Sequence, residues 1–204
     1  KEAISFFLGR LYEVLYRKNL LFLELIMFPR SNSIISTFHP LALWLAIMAG
    51  LVAIMVVIGG VTRLTDSGLS MVEWRPLMGI IPPLSEAEWM RVFLLYQQSP
   101  EFRHINVDMD LSGFKTIFFW EYVHRVWGRL IGLAFGIPLL AFWLRGMIPS
   151  SLKPILLILL ILGGLQGVIG WWMVASGLVD NPAVSQYRLA VHLSTALLIY
   201  GLLV

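Results

Sequence analysis

The sequence contains no cysteine and few charged residues. Without cysteine, the chain can form no disulfide bond, no thiolate metal site and no covalent c-type heme attachment through a C-x-x-C-H motif. Charged residues make up 13% of the 204 residues and hydrophobic residues 58%, whereas roughly a quarter of the residues in a soluble domain are charged. This composition excludes an ordinary soluble protein and predicts an integral membrane protein. The formal net charge of +3 is small, so no nucleic-acid partner is expected.

Four apolar runs reach, or nearly reach, the length of roughly 20 residues that a membrane-spanning helix needs. They cover about residues 40–61, 116–144, 154–175 and 187–204, and the last is barely long enough. The fold class predicted is an all-α integral membrane protein, a four-transmembrane-helix bundle.

Basic residues indicate the orientation of these helices in the membrane. They precede the first run and also occur, without acidic residues, between the second and third runs: Arg17, Lys18, Arg30, Arg145 and Lys153. Positively charged ends lie on the cytoplasmic side, or on the matrix side in an organelle. The second and fourth helices are therefore expected to enter the membrane from the outer face.

The chain divides into an N-terminal segment, residues 1–38, and a membrane part, residues 39–204. The first mixes apolar residues with Arg10, Arg17 and Lys18, a pattern typical of an amphipathic helix on the membrane surface. An extension without chemistry is the alternative. Because the chain begins without Met and ends inside an apolar run, it is expected to be a fragment.

Residues 63–114 are predicted to form a long outer loop with more acidic than basic residues. Ser85 and Glu88 resemble a helix capping box. Apolar residues follow at helical spacing, at Trp89, Val92, Phe93 and Tyr96. A surface helix is therefore expected in this loop.

Two parts of the membrane region resemble each other. "VIGGVTRLTDSGLS" and "VIGWWMVASGLVDN" each end an apolar run, and each is followed by a helix with a histidine near its outer end, His124 or His192. The pattern indicates a duplicated two-helix unit with the loop inserted in the first copy. Chance similarity between glycine-rich helix ends is the alternative.

His124 and His192 are the candidate metal ligands. Ionisable residues at membrane depth are costly and usually face a bundle interior, and equivalent places in the two units would bring both imidazoles to a similar depth. Two neutral imidazoles on facing helices can hold a heme iron between them. Two structural histidines that bond neighbouring helices are the alternative. Zinc fits less well, because only one carboxylate and no cysteine are near. His39 and His104 are expected to be surface residues.

Polar and small residues surround this pair in the sequence. Glu121 lies three residues before His124 and shares its helix face. Arg125, Arg129 and Arg188 are candidate partners of heme propionates, although Arg125 can instead pair with Glu121, and arginines also extend to the membrane surface. Trp127 is a candidate pocket wall or a membrane anchor. Eight glycines permit close helix packing or leave room for a flat ligand, at Gly59, Gly60, Gly128, Gly132, Gly163, Gly164, Gly167 and Gly170.

These motifs resemble the heme A synthase family, of the mitochondrial and proteobacterial type that lacks a pair of loop cysteines. The resemblance runs from about residue 45 to the end and rests on "GGVTRLTDSGLSMVEW", "YQQSPEF", "FKTIFFWEYVHRVWGRLIGL" and "LQGVIGWWMVASGL". It implies eight transmembrane helices in two pseudo-symmetric halves, of which this chain is the first. It also implies oxidation of a methyl group of heme O to the formyl group of heme A, which serves the terminal oxidase.

The resemblance assigns roles to particular residues and names partners. His124 and His192 would be the axial ligands of the substrate heme, Glu121 the catalytic carboxylate, and a heme b cofactor would occupy the second half. Heme O synthase, cytochrome c oxidase assembly factors and a second copy of the chain are the implied partners. The implied location is the bacterial plasma (inner) membrane, or alternatively the mitochondrial inner membrane. A bis-histidine b-type cytochrome for electron transfer and a heme-delivery protein are the competing functions.

Overall fold

A computed structural model of the protein describes residues 32–73, 80–178 and 182–204, with side chains from residue 40 onward. Two units make up the chain, Lys1–Leu43 and Trp44–Val204, and the account below concerns the second. The predicted amphipathic segment lies outside the described residues for positions 1–31. The side chain of His39 also lies outside them, so its expected surface position stays a prediction.

Six helices account for most of the described chain: α1 (Asn32–Leu64), α2 (Glu86–Tyr96), α3 (Pro100–His104), α4 (Leu111–Leu144), α5 (Lys153–Ala175) and α6 (Gln186–Leu203). No strand occurs in the described ranges, so the all-α prediction is confirmed there.

Three of these helices are long and apolar enough to cross a membrane, at Pro40–Leu64, Leu111–Leu144 and Lys153–Ala175. They coincide with the first three predicted spans. The fourth predicted span is also helical, at Gln186–Leu203, but it is not among the candidate spans found in the described residues. Polar residues reduce its hydropathy, among them Gln186, Arg188 and His192. Its crossing of the membrane stays a prediction.

Helix α4 begins five residues earlier than the apolar pattern predicted. Asp110 caps it, because its side chain accepts a hydrogen bond from the backbone N–H of Gly113 at 2.8 Å. A capping carboxylate satisfies one of the amides that a helix start leaves without a partner. The early start extends α4 beyond its apolar run, into the region of the outer loop.

Helix α2 confirms the helix predicted in the outer loop. The Ser85 hydroxyl accepts a hydrogen bond from the Glu88 N–H at 3.2 Å, as expected for an N-cap. The Glu88 carboxylate accepts from Arg91. On the other side of α2, Phe93 and Tyr96 each lie 5.1 Å from the ring of Phe114 on α4. This aromatic cluster holds the loop against the start of α4.

Side chains link α1 to α4 along their length. The indole N–H of Trp44 donates to the Ala134 carbonyl at 2.9 Å, and that of Trp127 donates to the Leu51 carbonyl at 3.1 Å. Nearer the loop, Thr62 donates to the Trp120 carbonyl at 3.3 Å. Partner numbers fall on α4 as they rise on α1, so the two helices are antiparallel. Positions near residues 60 and 120 therefore lie at the same end.

Close helix packing, one of the two roles expected for the glycines, accounts for only three of these eight positions. A Cβ atom added at five of them would meet nothing within 4 Å: Gly60, Gly132, Gly163, Gly164 and Gly167. Gly59, Gly128 and Gly170 do have neighbours at contact distance. Space beside the other five is open in this part of the structure.

Candidate functional site

Glu121 is buried in α4 and lies at the centre of a hydrogen-bond network. Only 3% of its surface is exposed. Its Oε2 atom accepts from the Ser70 hydroxyl and from the Met71 backbone N–H, both at 2.7 Å. Its Oε1 atom accepts from Arg125. Both carboxylate oxygens therefore have donors, so burial leaves neither oxygen without a partner.

The chain turns after α1, and this turn positions Ser70 beside the Glu121 carboxylate. Asp66 has a φ of 47°, a left-handed conformation that Asp tolerates better than most residues. Arg63 donates to the Asp66 side chain at 3.0 Å, and the Ser67 N–H donates to the Thr62 carbonyl at 3.0 Å. These contacts end the helix and reverse the chain. Residues 69–71, which we call the return segment, then reach α4.

Arg125 joins the return segment to Glu121. Its guanidinium donates to the carboxylate and also to the Met71 carbonyl at 3.1 Å. The ion pair that the i, i+4 spacing permits is therefore present, with the Arg125 side chain 12% exposed. Arg125 thus fixes the return segment in place, and a role with propionates stays a prediction.

The three arginines named from the sequence do not converge. Arg125 and Arg129 line a cleft of about 430 Å³ beneath the outer loop, together with Phe118 and Arg91. Arg188 lies on α6, where it donates to the Trp172 carbonyl at 2.6 Å and its guanidinium stands 4.6 Å from the Trp172 ring. Two of the predicted propionate partners share one cleft, and the third is bound to the end of α5.

Trp127 uses its polar atom to hold α1, through the bond to Leu51 described above. Its neighbours on the apolar side are α4 residues around a shallow groove that also includes Leu51. The structure thus gives Trp127 a helix-packing role. A role as a wall of a heme pocket stays a prediction.

His124 lies against a glycine of α1, and His192 lies against a glycine of α5. A Cβ atom at Gly59 would meet the Nε2 atom of His124 at 3.3 Å, and one at Gly170 would meet the Cε1 atom of His192 at 3.4 Å. The arrangement therefore places both rings on the interior side of their helices.

One ring nitrogen has no partner. The Nδ1 atom of His192 is buried and is the only buried side-chain nitrogen or oxygen in the described residues without a hydrogen bond. Such atoms usually mark an unfilled interaction. Two imidazoles that each face another helix are the donor set that a flat iron macrocycle requires.

A conventional multi-ligand metal site is not present in the described parts of the chain, since no three His, Cys, Asp or Glu residues come together there. His104, at the end of α3, is exposed as predicted.

Sequence reasoning missed a second buried acid, Glu101, in the outer loop. It is 4% exposed, and its Oε2 atom accepts a hydrogen bond from the Tyr96 hydroxyl at 3.0 Å. Asn106 donates to the same hydroxyl at 2.8 Å. Burial raises the pKa of Glu101 to about 7, the Tyr96 hydrogen bond opposes this, and the charges of Glu121 and Asp66 add to it. The position of Glu101 in "YQQSPEF" gave no sign of burial.

Taken together, the helices and the site define a helical membrane protein with a buried, fully bonded carboxylate one turn from an interior imidazole and a second imidazole nearby. Residues 42–204 match the family of cytochrome oxidase assembly proteins. The chain is 52% identical over 179 residues to the heme A synthase of Parvibaculum lavamentivorans, covering 86% of this chain and 52% of that protein. It is 56% identical over 159 residues to the heme A synthase of Maricaulis maris, covering 78% and 47%.

The chain therefore belongs to the heme A synthase family of cytochrome oxidase assembly proteins. A third relative, the heme A synthase of Nitrosospira multiformis, is 55% identical over 162 residues, which cover 79% of this chain and 46% of that protein. The chain thus spans about half the length of the curated relatives it matches. No solved structure matches it.

Proposed function

We propose that the full-length protein converts heme O to heme A and that this chain supplies the half that binds the substrate heme. The main support for the proposal is the environment of Glu121. This carboxylate is buried and is held in a single position by Ser70, Met71 and Arg125. It lies one helical turn from His124, on the same face of α4. A carboxylate that acts on the ring needs a fixed position, and this network gives Glu121 one.

His124 and His192 are the proposed axial ligands of heme O. Their support is the position of both rings, each against a glycine of another helix. Two imidazoles suffice for a six-coordinate heme iron. Arg125 and Arg129, in the cleft beneath the loop, are the proposed contacts of the propionates, for which the guanidinium geometry is suited.

Further features of the proposal concern the architecture and the cofactor. The repeated sequence suggests a duplicated two-helix unit that forms a four-helix bundle, and the family resemblance implies a second such half with a heme b. The bacterial plasma membrane, or the mitochondrial inner membrane, is the proposed location. Heme O synthase and cytochrome c oxidase assembly factors are the proposed partners, and a homo-oligomer is compatible with the open glycine surfaces on α5.

The chemistry of the conversion of heme O to heme A indicates what role the Glu121 carboxylate would have. Oxidation of a methyl group to a formyl group consumes one water and releases four protons and four electrons, and a heme b held by a second half would supply the redox chemistry that removes those electrons. Loss of electrons from the methyl carbon creates positive charge beside the ring. A preorganised carboxylate in a water-poor site stabilises such charge. Glu121 can also orient the water and accept a proton from it, the role of a general base.

The test uses the full-length protein expressed with a source of heme O, followed by chromatographic separation of heme types. Glu121→Ala is expected to retain bound heme but to form neither hydroxylated nor formylated product. Ser70→Ala is the matched control, because it removes one contact of Glu121 and leaves the carboxylate. Unchanged product formation in Glu121→Ala would refute the catalytic role.

A bis-histidine b-type cytochrome is the second candidate. The Glu121–Arg125 pair favours it, because such a pair can be purely structural. A heme-delivery protein would use the same ligands for transient binding. Both alternatives predict that bound heme O is recovered chemically unchanged, so the heme analysis above separates them from the synthase.

A further inference from the structure

The tripeptide Val-Ile-Gly occurs twice, and in each copy the glycine lies against a candidate ligand histidine. Val57, Ile58 and Gly59 on α1 correspond to Val168, Ile169 and Gly170 on α5. A Cβ atom at the first glycine would meet His124 of the next long helix, and one at the second would meet His192 of the next helix. Two separate parts of the chain therefore repeat one glycine–imidazole contact.

Ordinary helix packing does not explain these two glycines. On α1, an added Cβ at Gly60 would meet nothing within 4 Å, and on α5 the same holds for Gly163, Gly164 and Gly167. On each of these two helices, only the glycine that faces a histidine has another helix close to it. The buried Nδ1 atom of His192 has no hydrogen-bond partner in the described residues, so no hydrogen bond at that atom orients the ring there.

We infer that Gly59 and Gly170 are positioning residues that leave room for the two imidazoles to take the orientation heme binding requires. This inference rests on the proposed function, because it concerns the ligands of the same heme. Neither glycine touches the reacting methyl group in this account. Each acts through the histidine that it faces.

The two contacts differ in tightness. At Gly59 the added Cβ would stand 3.3 Å from Nε2 of His124, closer than nine in ten real contacts of this kind, and 3.5 Å from Cδ2, an ordinary contact distance. At Gly170 the nearest atom of His192 would be at 3.4 Å, an ordinary contact distance, and the ring nitrogens at 3.9 Å. A methyl group at position 59 must therefore displace the nitrogen that usually binds iron, whereas one at position 170 only crowds the ring.

Binding of heme to the purified protein in detergent, followed by visible absorbance, tests the inference. Because overpacking typically costs the equivalent of one to two factors of ten in affinity, Gly59→Ala is expected to bind heme about tenfold more weakly or worse. Gly60→Ala is its matched control and is expected to stay within about twofold. Gly170→Ala should lose less affinity than Gly59→Ala but more than its control, Gly167→Ala.

Electron paramagnetic resonance should show altered axial-ligand geometry only in the variants at positions 59 and 170.

A measurement without heme tests the mechanism of the effect. Gly59→Ala should lower the melting temperature of the heme-free protein, because His124 has to move. In a His124→Ala background the ring is gone, so the same substitution should no longer lower it, and the better helix propensity of Ala should become visible. An equal effect of Gly59→Ala in both backgrounds would overturn the inference.

Failure of the proposed function and failure of the positioning role give different results. If His124→Ala binds heme as well as the unchanged protein, the proposed function is wrong. If His124→Ala abolishes binding while Gly59→Ala and Gly60→Ala behave alike, the ligand assignment stands and the positioning role is wrong.

Discussion

Replacement of Glu121 by Ala should destabilise the protein even before any chemistry is measured. The substitution removes the acceptor of three donors: the Ser70 hydroxyl, the Met71 N–H and the Arg125 guanidinium. Breaking a buried ion pair by removal of one partner costs about 3–5 kcal/mol. An unsatisfied neutral donor costs about 1–3 kcal/mol.

Alternative partners reduce this sum. The Ser70 hydroxyl can turn to the Ser67 carbonyl, 3.0 Å away, and Arg125 keeps its bond to the Met71 carbonyl. We therefore expect a net loss of about 3–5 kcal/mol for Glu121→Ala, most of it from Arg125. Ser70→Ala leaves the carboxylate with two donors and should cost about 1 kcal/mol.

Thermal unfolding in detergent measures the difference. For a chain of this size, 1 kcal/mol shifts the melting temperature by about 2–4 °C, so Glu121→Ala should melt roughly 10 °C lower and Ser70→Ala about 3 °C lower. Hydrogen exchange offers a local measurement, since the Met71 amide is protected by Glu121. It should exchange faster in Glu121→Ala and be nearly unchanged in Ser70→Ala.

Equal melting temperatures for Glu121→Ala and Ser70→Ala, or an unchanged Met71 amide, would refute this reasoning. Glu121→Gln refines the test. An amide can accept from one side only and presents its NH₂ group to donors on the other. Its stability should therefore lie between that of the unchanged protein and that of Glu121→Ala.

Two further predictions concern the loop and the helix pair. Burial raises the pKa of Glu101 from 4.5 to about 7, so the folded state binds a proton that the unfolded state has released, and stability falls as pH rises through this range. Glu101→Gln should therefore match the unchanged protein near pH 5 and melt higher at pH 8, by up to about 3 kcal/mol of stability; an equal melting temperature at pH 8 would contradict the pKa shift. Trp127→Phe removes the hydrogen bond to the Leu51 carbonyl, which should cost about 1 kcal/mol in the same assay. Heme affinity unchanged in Trp127→Phe would assign this residue to packing alone.

Local patterns predicted the helices well. The capping box at Ser85 and the apolar runs depend on residues within a few positions of one another, and such short-range physics can be read from sequence. The start of α4 was placed too late because Asp110 caps a polar turn that precedes the apolar run. Asp110 is a typical capping residue, but the predicted start of the helix followed the apolar run instead.

Contacts between distant residues were not predictable in the same way. Ser70 and Glu121 are fifty-one positions apart, and neither residue type indicates the other. Glu101 was unremarkable in sequence because its burial depends on Tyr96 and on the aromatic cluster beneath it. Sequence shows the density of the glycines but not which of them faces a side chain, so the two roles expected for them could not be assigned to particular positions.

The repeated glycine–imidazole contact also shows where the two halves of the described site differ. Glu121 stands three residues before His124 on α4, and the same place before His192 on α6 holds Leu189. Arg188, the nearest ionisable residue there, is bound to the Trp172 carbonyl of α5. Both histidines thus have an equivalent contact with a glycine, but a carboxylate lies three residues before only one of them, His124. In the proposed function, both units bind the iron, and the oxidation chemistry falls to the side of α4, where the return segment holds the acid in place.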